Sequence, residues 1–309
     1  MFRKLRYRIF SWTRHPELTP SSEPIDVIIP IVAKDLQTLP LCLEGVRHQV
    51  QNTIKDIYIV APRDKEITDF CARNGLIYVD ETSVFGYSPR QLGLKVLPPG
   101  KGGDTDSKPL DRSGWLFQQF IKLSGAIGTC RHYLCIDADH ILIHPHVFLA
   151  QGGDTVLYMS YEHHQPYYDI IHRLFPKLPL APLSFVAHKM LFDKELLHDL
   201  QQDLSSLIQQ HPSSLGEPDG ANSSLFTLHS SLPTWQLAIL RNLDRSEISG
   251  FSEFETYGNY ALAKRSPILR PWQQKRLKRK HIADYDTLCR KYARPYRWTL
   301  TFPDYMKQS

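Results

Sequence analysis

Two carboxylates one residue apart close an apolar run at Tyr133-Leu-Cys-Ile-Asp-Ala-Asp139. Residues i and i+2 of an extended chain project to the same side, so Asp137 and Asp139 can converge on one point. Converging carboxylates repel unless a cation or a proton lies between them. Hard oxygen donors suit Mg²⁺ or Mn²⁺, with a diphosphate and water completing the shell. An ion held this way neutralises a diphosphate and stabilises it as a leaving group. Acidic turns often produce an Asp-x-Asp triplet. Here the triplet follows four apolar strand residues and a run of alternating strands and helices, which gives it weight.

Just upstream, Trp115-Leu-Phe-Gln-Gln-Phe-Ile-Lys-Leu-Ser-Gly-Ala-Ile127 reads as a helix with two stripes. Leu116, Phe117, Phe120, Ile121 and Ile127 form the apolar one, and Trp115, Gln118, Gln119 and Lys122 the other. Two amides and a lysine directly before the carboxylates face either a ligand or water. Further on, Ser252 and Glu255 have the S-x-x-E spacing of a capping box at a helix start. Glu255 thus has an ordinary structural task. Glu253 has none beyond complementing the helix dipole in its first turn.

The elements that must position these residues alternate. A nearly continuous apolar run, Ile25–Val32, has the pattern of a strand buried on both faces of a parallel sheet. A helix over 39–50, a strand at 56–61, a helix over 64–74 and a strand at 76–79 follow. This order predicts a doubly wound α/β sheet with ligands beyond the strands' carboxyl ends. Residues 86–114 interrupt it with six glycines and four prolines, the composition of a functional loop or of a plain insertion. Strands are expected at 155–161 and 184–188, and helices at 193–210, 233–243 and 253–264. The chain divides into a basic arm and linker (1–24), a nucleotide-binding half (25–150), an acceptor-binding half (151–266) and a basic, aromatic tail (267–309).

Composition excludes several classes. An apolar share of 42% and a charged share of 22% belong to an ordinary globular chain. Five scattered cysteines form no CxxC pair, which argues against a disulfide framework and for a reducing cytoplasm. No apolar run is long enough to span a bilayer, and the start lacks a signal-peptide core. Basic and aromatic residues interleave over Met1–Trp12, the composition of a membrane-surface segment or of an untethered basic arm. The run Lys275–Lys280 suits a solvated face or anionic headgroups, and no nucleic-acid module accompanies it. The expected location is cytoplasmic, with peripheral contact at the inner membrane surface as an option.

Three blocks carry a family resemblance: Gly-Trp-Leu-Phe-Gln-Gln-Phe-Ile-Lys-Leu (114–123), Ser-Phe-Val-Ala-His-Lys-Met (184–190) and Phe-Ser-Glu-Phe-Glu-Thr-Tyr-Gly-Asn-Tyr (251–260). With Cys-Ile-Asp-Ala-Asp, they resemble the GT-A nucleotide-diphospho-sugar glycosyltransferases, and within that clan a bacterial group of unassigned function. The resemblance covers about residues 25–265. It implies a Rossmann-like, mostly parallel central sheet flanked by helices, a UDP- or GDP-sugar donor, and Mn²⁺ or Mg²⁺ at Asp137 and Asp139. It further implies base and ribose contacts at Pro30, Ile31 and Val32, with Asp80 or Glu81 as weaker candidates. A late histidine, His188 or His281, would add a metal ligand. A helix-start acid, Glu253, would act as base or acceptor-hydroxyl anchor, with Glu255 as the other acid at that end.

The reading is therefore a single α/β domain that transfers a sugar from a nucleotide diphosphate to a glycan, lipid-linked or small acceptor. One rival is nucleotidyl transfer on the same fold, which calls for a glycine-rich loop after the first strand. Ile31-Val-Ala-Lys-Asp35 contains no glycine. The other rival is a noncatalytic module for glycans or membrane surfaces, against which the paired carboxylates and the uncommitted Glu253 argue.

Overall fold

The computed structural model describes residues 2–97, 108–210 and 232–303. A helix, α1 (Phe2–Trp12), precedes the first βα units: β1 (Ile25–Pro30), α2 (Leu39–Gln49), β2 (Ile54–Ala61), α3 (Lys65–Asn74) and β3 (Ile77–Asp80). Local chemistry sets the bounds of α3. The Asp64 carboxylate accepts from the N–H groups of Glu66 and Ile67, and Gly75 ends the helix in the left-handed region (φ 63°). A short hairpin, β4 (Lys95–Val96) and β5 (Leu110–Asp111), leads into α4 (Ser113–Lys122). The strand β6 (His132–Ile136) delivers the paired carboxylates, and β7 (His140–Leu142) leaves them.

The second half contains β8 (Val156–Met159), α5 (Gln165–Leu174), β9 (Lys189–Asp193), α6 (Lys194–Gln210), α7 (Thr234–Asn242) and α8 (Glu253–Lys264). Then come β10 (Ile268–Pro271), β11 (Gln274–Arg276), α9 (Tyr285–Tyr292) and β12 (Thr299–Thr301).

The central sheet has the order β3-β2-β1-β6-β9. Its first four strands are parallel and β9 runs antiparallel to β6. Every residue of β1 and β6 is buried, which explains their unbroken apolar sequences. Alternate side chains serve two cores. Ile28, Tyr133, Cys135 and Phe192 join Phe117, Phe120, Leu200 and Tyr257 on one face. Val27, Ile29, Leu134 and Leu191 join Cys42, Val46, Ile67 and Cys71 on the other. The molecule is thus the expected α/β arrangement, a mostly parallel sheet between helical layers.

Three expectations change. The strand placed at 184–188 begins at Lys189 instead, and Ser184 makes only an isolated bridge to Ser160. The Phe185 N–H donates to the Glu255 carboxylate at 3.1 Å, so a side chain takes the place of a ladder partner. Secondly, α5 lay outside the expected helices. The third change concerns residues 267–303, expected as a tail: β12 pairs antiparallel with β7 and parallel with β11. Leu277, Tyr285, Leu288, Tyr292, Leu300 and Phe302 pack there on Leu41, Ile141 and Ile143. Of the glycine- and proline-rich stretch 86–114, residues 98–107 lie outside those described, while Tyr87, Leu92, Leu94 and Val96 are buried in the core. Among the described residues no helix is long and apolar enough to cross a membrane. All five cysteines are unbridged.

The contact between α8 and the 184–188 segment is close enough to test. A Cβ built on Gly258 would lie 2.2 Å from Phe185 Cγ, and the Phe185 side chain is fully buried. Gly258→Ala should therefore destabilise by about 1–3 kcal/mol through overpacking. The roughly 1 kcal/mol that alanine gains over glycine inside a helix offsets part of this cost. Denaturant unfolding measures it, and an unchanged midpoint would show that Phe185 swings aside freely.

Candidate functional site

The register of β9 against β6 pairs Lys189 with Ile136, so the residues just beyond, His188 and Asp137, become neighbours. The Asp137 N–H donates to the His188 carbonyl at 3.0 Å, and His188 Nδ1 lies 2.8 Å from Asp137 Oδ2. Asp137, Asp139 and His188 each offer a ligand atom, all within 4.8 Å of one another. The two carboxylates converge through a turn rather than through an extended strand. β6 ends at Ile136, and the His140 N–H donates back to the Asp137 carbonyl at 2.9 Å. From the other side, the Phe302 N–H donates to the Asp139 carbonyl at 3.0 Å. His188 has φ 55°, the one positive φ outside glycine among the described residues. Such a conformation costs on the order of 1–3 kcal/mol and gathers at functional sites.

Lys122, at the end of α4, ties the centre to the second half. Its Nζ donates to Asp137 Oδ1 and to Glu253 Oε1, each at 2.7 Å. One residue-turn earlier, Gln119 Oε1 accepts from the Glu253 N–H at 3.1 Å. The polar stripe of this helix therefore splits. Gln119 and Lys122 are buried against Glu253 and Asp137, while Trp115 and Gln118 are half-buried, with the Arg112 guanidinium 4.5 Å above the Trp115 ring.

The electrostatics follow from this packing. Burial alone would raise the Asp137 carboxyl, but the Lys122 ammonium and His188 hold it well below the usual carboxylate range. Asp139 lacks such a cation, and burial, then the Asp137 charge, push it up to about 6. Burial opposes the charge on Lys122, yet Asp137 and Glu253 keep it firmly protonated. The carboxylates outnumber the Lys122 ammonium, and against the pull of burial they raise the His188 imidazole above its usual range, so the point they surround is short of positive charge. A divalent ion matches that deficit. The mixed oxygen–nitrogen donor set fits Mn²⁺ better than Mg²⁺, which favours an all-oxygen octahedral shell.

Glu255 departs from its expected capping geometry. Ser252 Oγ does accept from the Glu255 N–H at 3.2 Å, which is half of a capping box. The Glu255 carboxylate does not return to the Ser252 backbone. It is fully buried and accepts from Ser184 Oγ at 2.6 Å, the Phe185 N–H at 3.1 Å and Asn259 Nδ2 at 3.2 Å. Its work is to hold the turn that leads to His188.

The remaining sequence candidates are spread more widely. Pro30 and Ile31 are buried at the end of β1, and the half-buried Val32 donates its N–H to Asp35 Oδ2 at 2.9 Å. Asp80 caps the turn Glu81–Val84, accepting from the Thr82 N–H at 3.0 Å. Glu81 is buried, and burial with the Asp80 charge pushes it up to about 7. His281 is exposed in the turn Arg279–His281 and takes no part in the Asp137–Asp139–His188 cluster. Sequence reasoning missed Asp35, whose charge adds to the push on Asp139. It also missed Trp272, whose ring centre lies 5.3 Å from that of His188. Lys189 was read only as part of a block. It is fully buried, with Nζ 3.2 Å from His140 Nε2 and 4.7 Å from the Tyr158 ring, and burial holds its ammonium well below the usual range. Asp35 had a legible signal, an acid in the loop that follows the first strand. Trp272 had none, because its approach to the site depends on the path of residues 267–303.

No family model and no curated protein matches the chain. Solved structures with similar backbones include mouse xyloside xylosyltransferase 1 in its apo form, 12% identical, with 93% of this chain and 100% of that one covered at a TM-score of 0.43. The galactosyltransferase LgtC in complex with donor and acceptor sugar analogues is 11% identical, with 90% and 87% covered at a TM-score of 0.42. Glucosyl-3-phosphoglycerate synthase from Mycobacterium tuberculosis, in complex with Mn²⁺, UDP and phosphoglyceric acid, is 16% identical over 66% of this chain and 72% of that one, at a TM-score of 0.36. Likeness of this degree leaves reaction and substrate to be argued from the site.

The Glu255 network yields a second expectation. Glu255→Gln would turn one acceptor into an amide N–H₂ facing donors, a mismatch worth about 1–3 kcal/mol when buried. The variant should melt lower, because the turn before His188 loosens. Equal melting temperatures for the two proteins would contradict this role.

Proposed function

We propose that this chain is a metal-dependent glycosyltransferase of the GT-A type. It would move a sugar from a UDP- or GDP-linked donor to a glycan, lipid-linked or small acceptor. The observation that carries the reading is the clustering of Asp137, Asp139 and His188 within 4.8 Å of one another, beyond the carboxyl end of β6. Mn²⁺ or Mg²⁺ held by these three would supply charge neutralisation for the donor's diphosphate. Nucleotidyl transfer finds less support, since the residues after β1 form the 3₁₀ turn Ala33–Gln37 rather than a glycine-rich phosphate loop.

The chain's own groups divide the remaining work. The ends of β1 and β3, with Pro30, Ile31, Val32, Asp80 and Glu81, would receive the base and ribose. Gln118 and Trp115, half-buried on α4, would line the donor's path, with Gln119 and Lys122 fixing the wall behind. Lys122 holds Asp137 in place and keeps that carboxylate ionised. It also occupies Glu253 Oε1, and among the described residues nothing hydrogen-bonds Glu253 Oε2. That oxygen would take or anchor an acceptor hydroxyl at the start of α8.

Calorimetry of UDP and GDP tests the donor site. Binding is expected to need a divalent ion and to weaken at least tenfold in Asp139→Asn, about 1.4 kcal/mol. Equal affinity in EDTA and in Mn²⁺ would remove the metal from the reading.

The acid at the head of α8 is tested by turnover. Glu253→Gln should keep donor binding while lowering transfer or donor hydrolysis by on the order of 10²-fold or more. Near-normal turnover would exclude Glu253 from the chemistry.

A further inference from the structure

The helix α1 rests on the body by one face only. Arg3, Tyr7, Phe10 and Ser11 are half-buried, and its other described residues are exposed. Tyr7 donates its hydroxyl to the Trp272 carbonyl, and Arg3 Nη1 donates to the Tyr168 hydroxyl at 2.9 Å. On the opposite face Phe2, Leu5, Ile9 and Trp12 are 76%, 54%, 55% and 82% exposed. Their spacing of three, four and three residues keeps them in one stripe along the helix. With 3.6 residues per turn, Arg6 falls on one flank of this stripe, and Arg8 and Lys4 on the other.

The charge distribution says what meets this face. Residues 2–14 hold five of the 37 Lys and Arg and none of the 32 Asp and Glu. The remainder of the chain is therefore balanced, and the whole formal charge of +5 sits on and beside one helix. An apolar stripe between cationic flanks, with a tryptophan near one end, matches the boundary between acyl chains and anionic headgroups. At eleven residues the helix is about 16 Å long, far short of a bilayer's thickness, so it lies in the surface plane. Nucleic acid would use the cations and leave the four apolar side chains in water.

We propose that α1 seats the protein on an anionic lipid surface through Phe2, Leu5, Ile9 and Trp12, with Arg6 and Arg8 at the headgroups. The seat adjoins the metal cluster, because Trp272, which accepts from Tyr7, packs its ring 5.3 Å from His188. Under the glycosyltransferase reading, on which this consequence rests, the surface selects the lipid-linked class among the acceptors.

Co-sedimentation of the full chain with vesicles decides the matter. The two vesicle types are phosphatidylcholine alone and phosphatidylcholine with about one-third phosphatidylglycerol. Wild type should bind the anionic vesicles, bind phosphatidylcholine about tenfold or more weakly, and release as salt is raised. Leu5→Glu/Ile9→Glu and Arg6→Glu/Arg8→Glu should each lose at least about tenfold in binding while keeping the wild-type melting temperature, since all four side chains are exposed. Wild-type protein that stays in the supernatant would overturn the proposal. So would a Leu5→Glu/Ile9→Glu variant that sediments normally. Self-association that this variant abolishes without lipid would reassign the stripe to a second copy of the chain. Preference for duplex DNA or RNA over anionic vesicles would equally end it. Vesicle binding is read without donor or metal, so its failure leaves the calorimetric test of donor binding untouched.

Discussion

One buried ammonium brings three separate elements to a common point. Lys122 comes from α4, Asp137 from the end of β6 and Glu253 from the start of α8, and each carboxylate lies 2.7 Å from its Nζ. Removing a partner from such a set strands a buried charge, at a cost of about 3–5 kcal/mol. With two counter-charges on one ammonium, the set ties both halves of the chain to a common point. The same ammonium leaves the cluster short of positive charge. Asp139 has no such partner, and burial with the Asp137 charge pushes its carboxyl up.

A second tie works alongside it. The pairing of β9 with β6 brings His188 to Asp137, and the turn before His188 is anchored by Glu255 through Ser184 and Phe185. Two acids two residues apart on one helix thus hold opposite sides of the cluster. Glu253 reaches the α4 side through Lys122, and Glu255 reaches the β9 side. With Gly258 packed on Phe185, α8 acts as the template on which the histidine's strained backbone is built.

Much of this was legible in the sequence. The buried parallel strands announced themselves through unbroken apolar runs, and the helices of the first half through the alternation of elements between them. Asp137, Asp139 and Lys122 were singled out from their spacing, because a strand end and a helix face are local properties, although the turn that brings the two carboxylates together was not. His188 could only be ranked beside His281. Choosing between them needs the β6–β9 register, which is a non-local fact. The strand placed at 184–188 failed because a distant carboxylate competes for its backbone N–H. The role of 267–303 was hidden because basic residues on the wet side of α9 and β11 masked the apolar side chains of Tyr285, Leu288 and Tyr292. Tertiary pairing, not propensity, decides such segments.

The partnership of β7 with β12 has an implication for how the protein comes into being. Thr301 meets His140 across 161 residues of chain, and the next residue, Phe302, fixes the backbone of Asp139. During vectorial synthesis the first βα units can collapse early, since their neighbours are close in sequence. The turn bearing the acidic pair cannot be locked until Phe302 has emerged from the ribosome. Long-range pairings of this kind form late and slowly. Until that pairing forms, a nascent chain would carry its acidic pair on an unfixed turn.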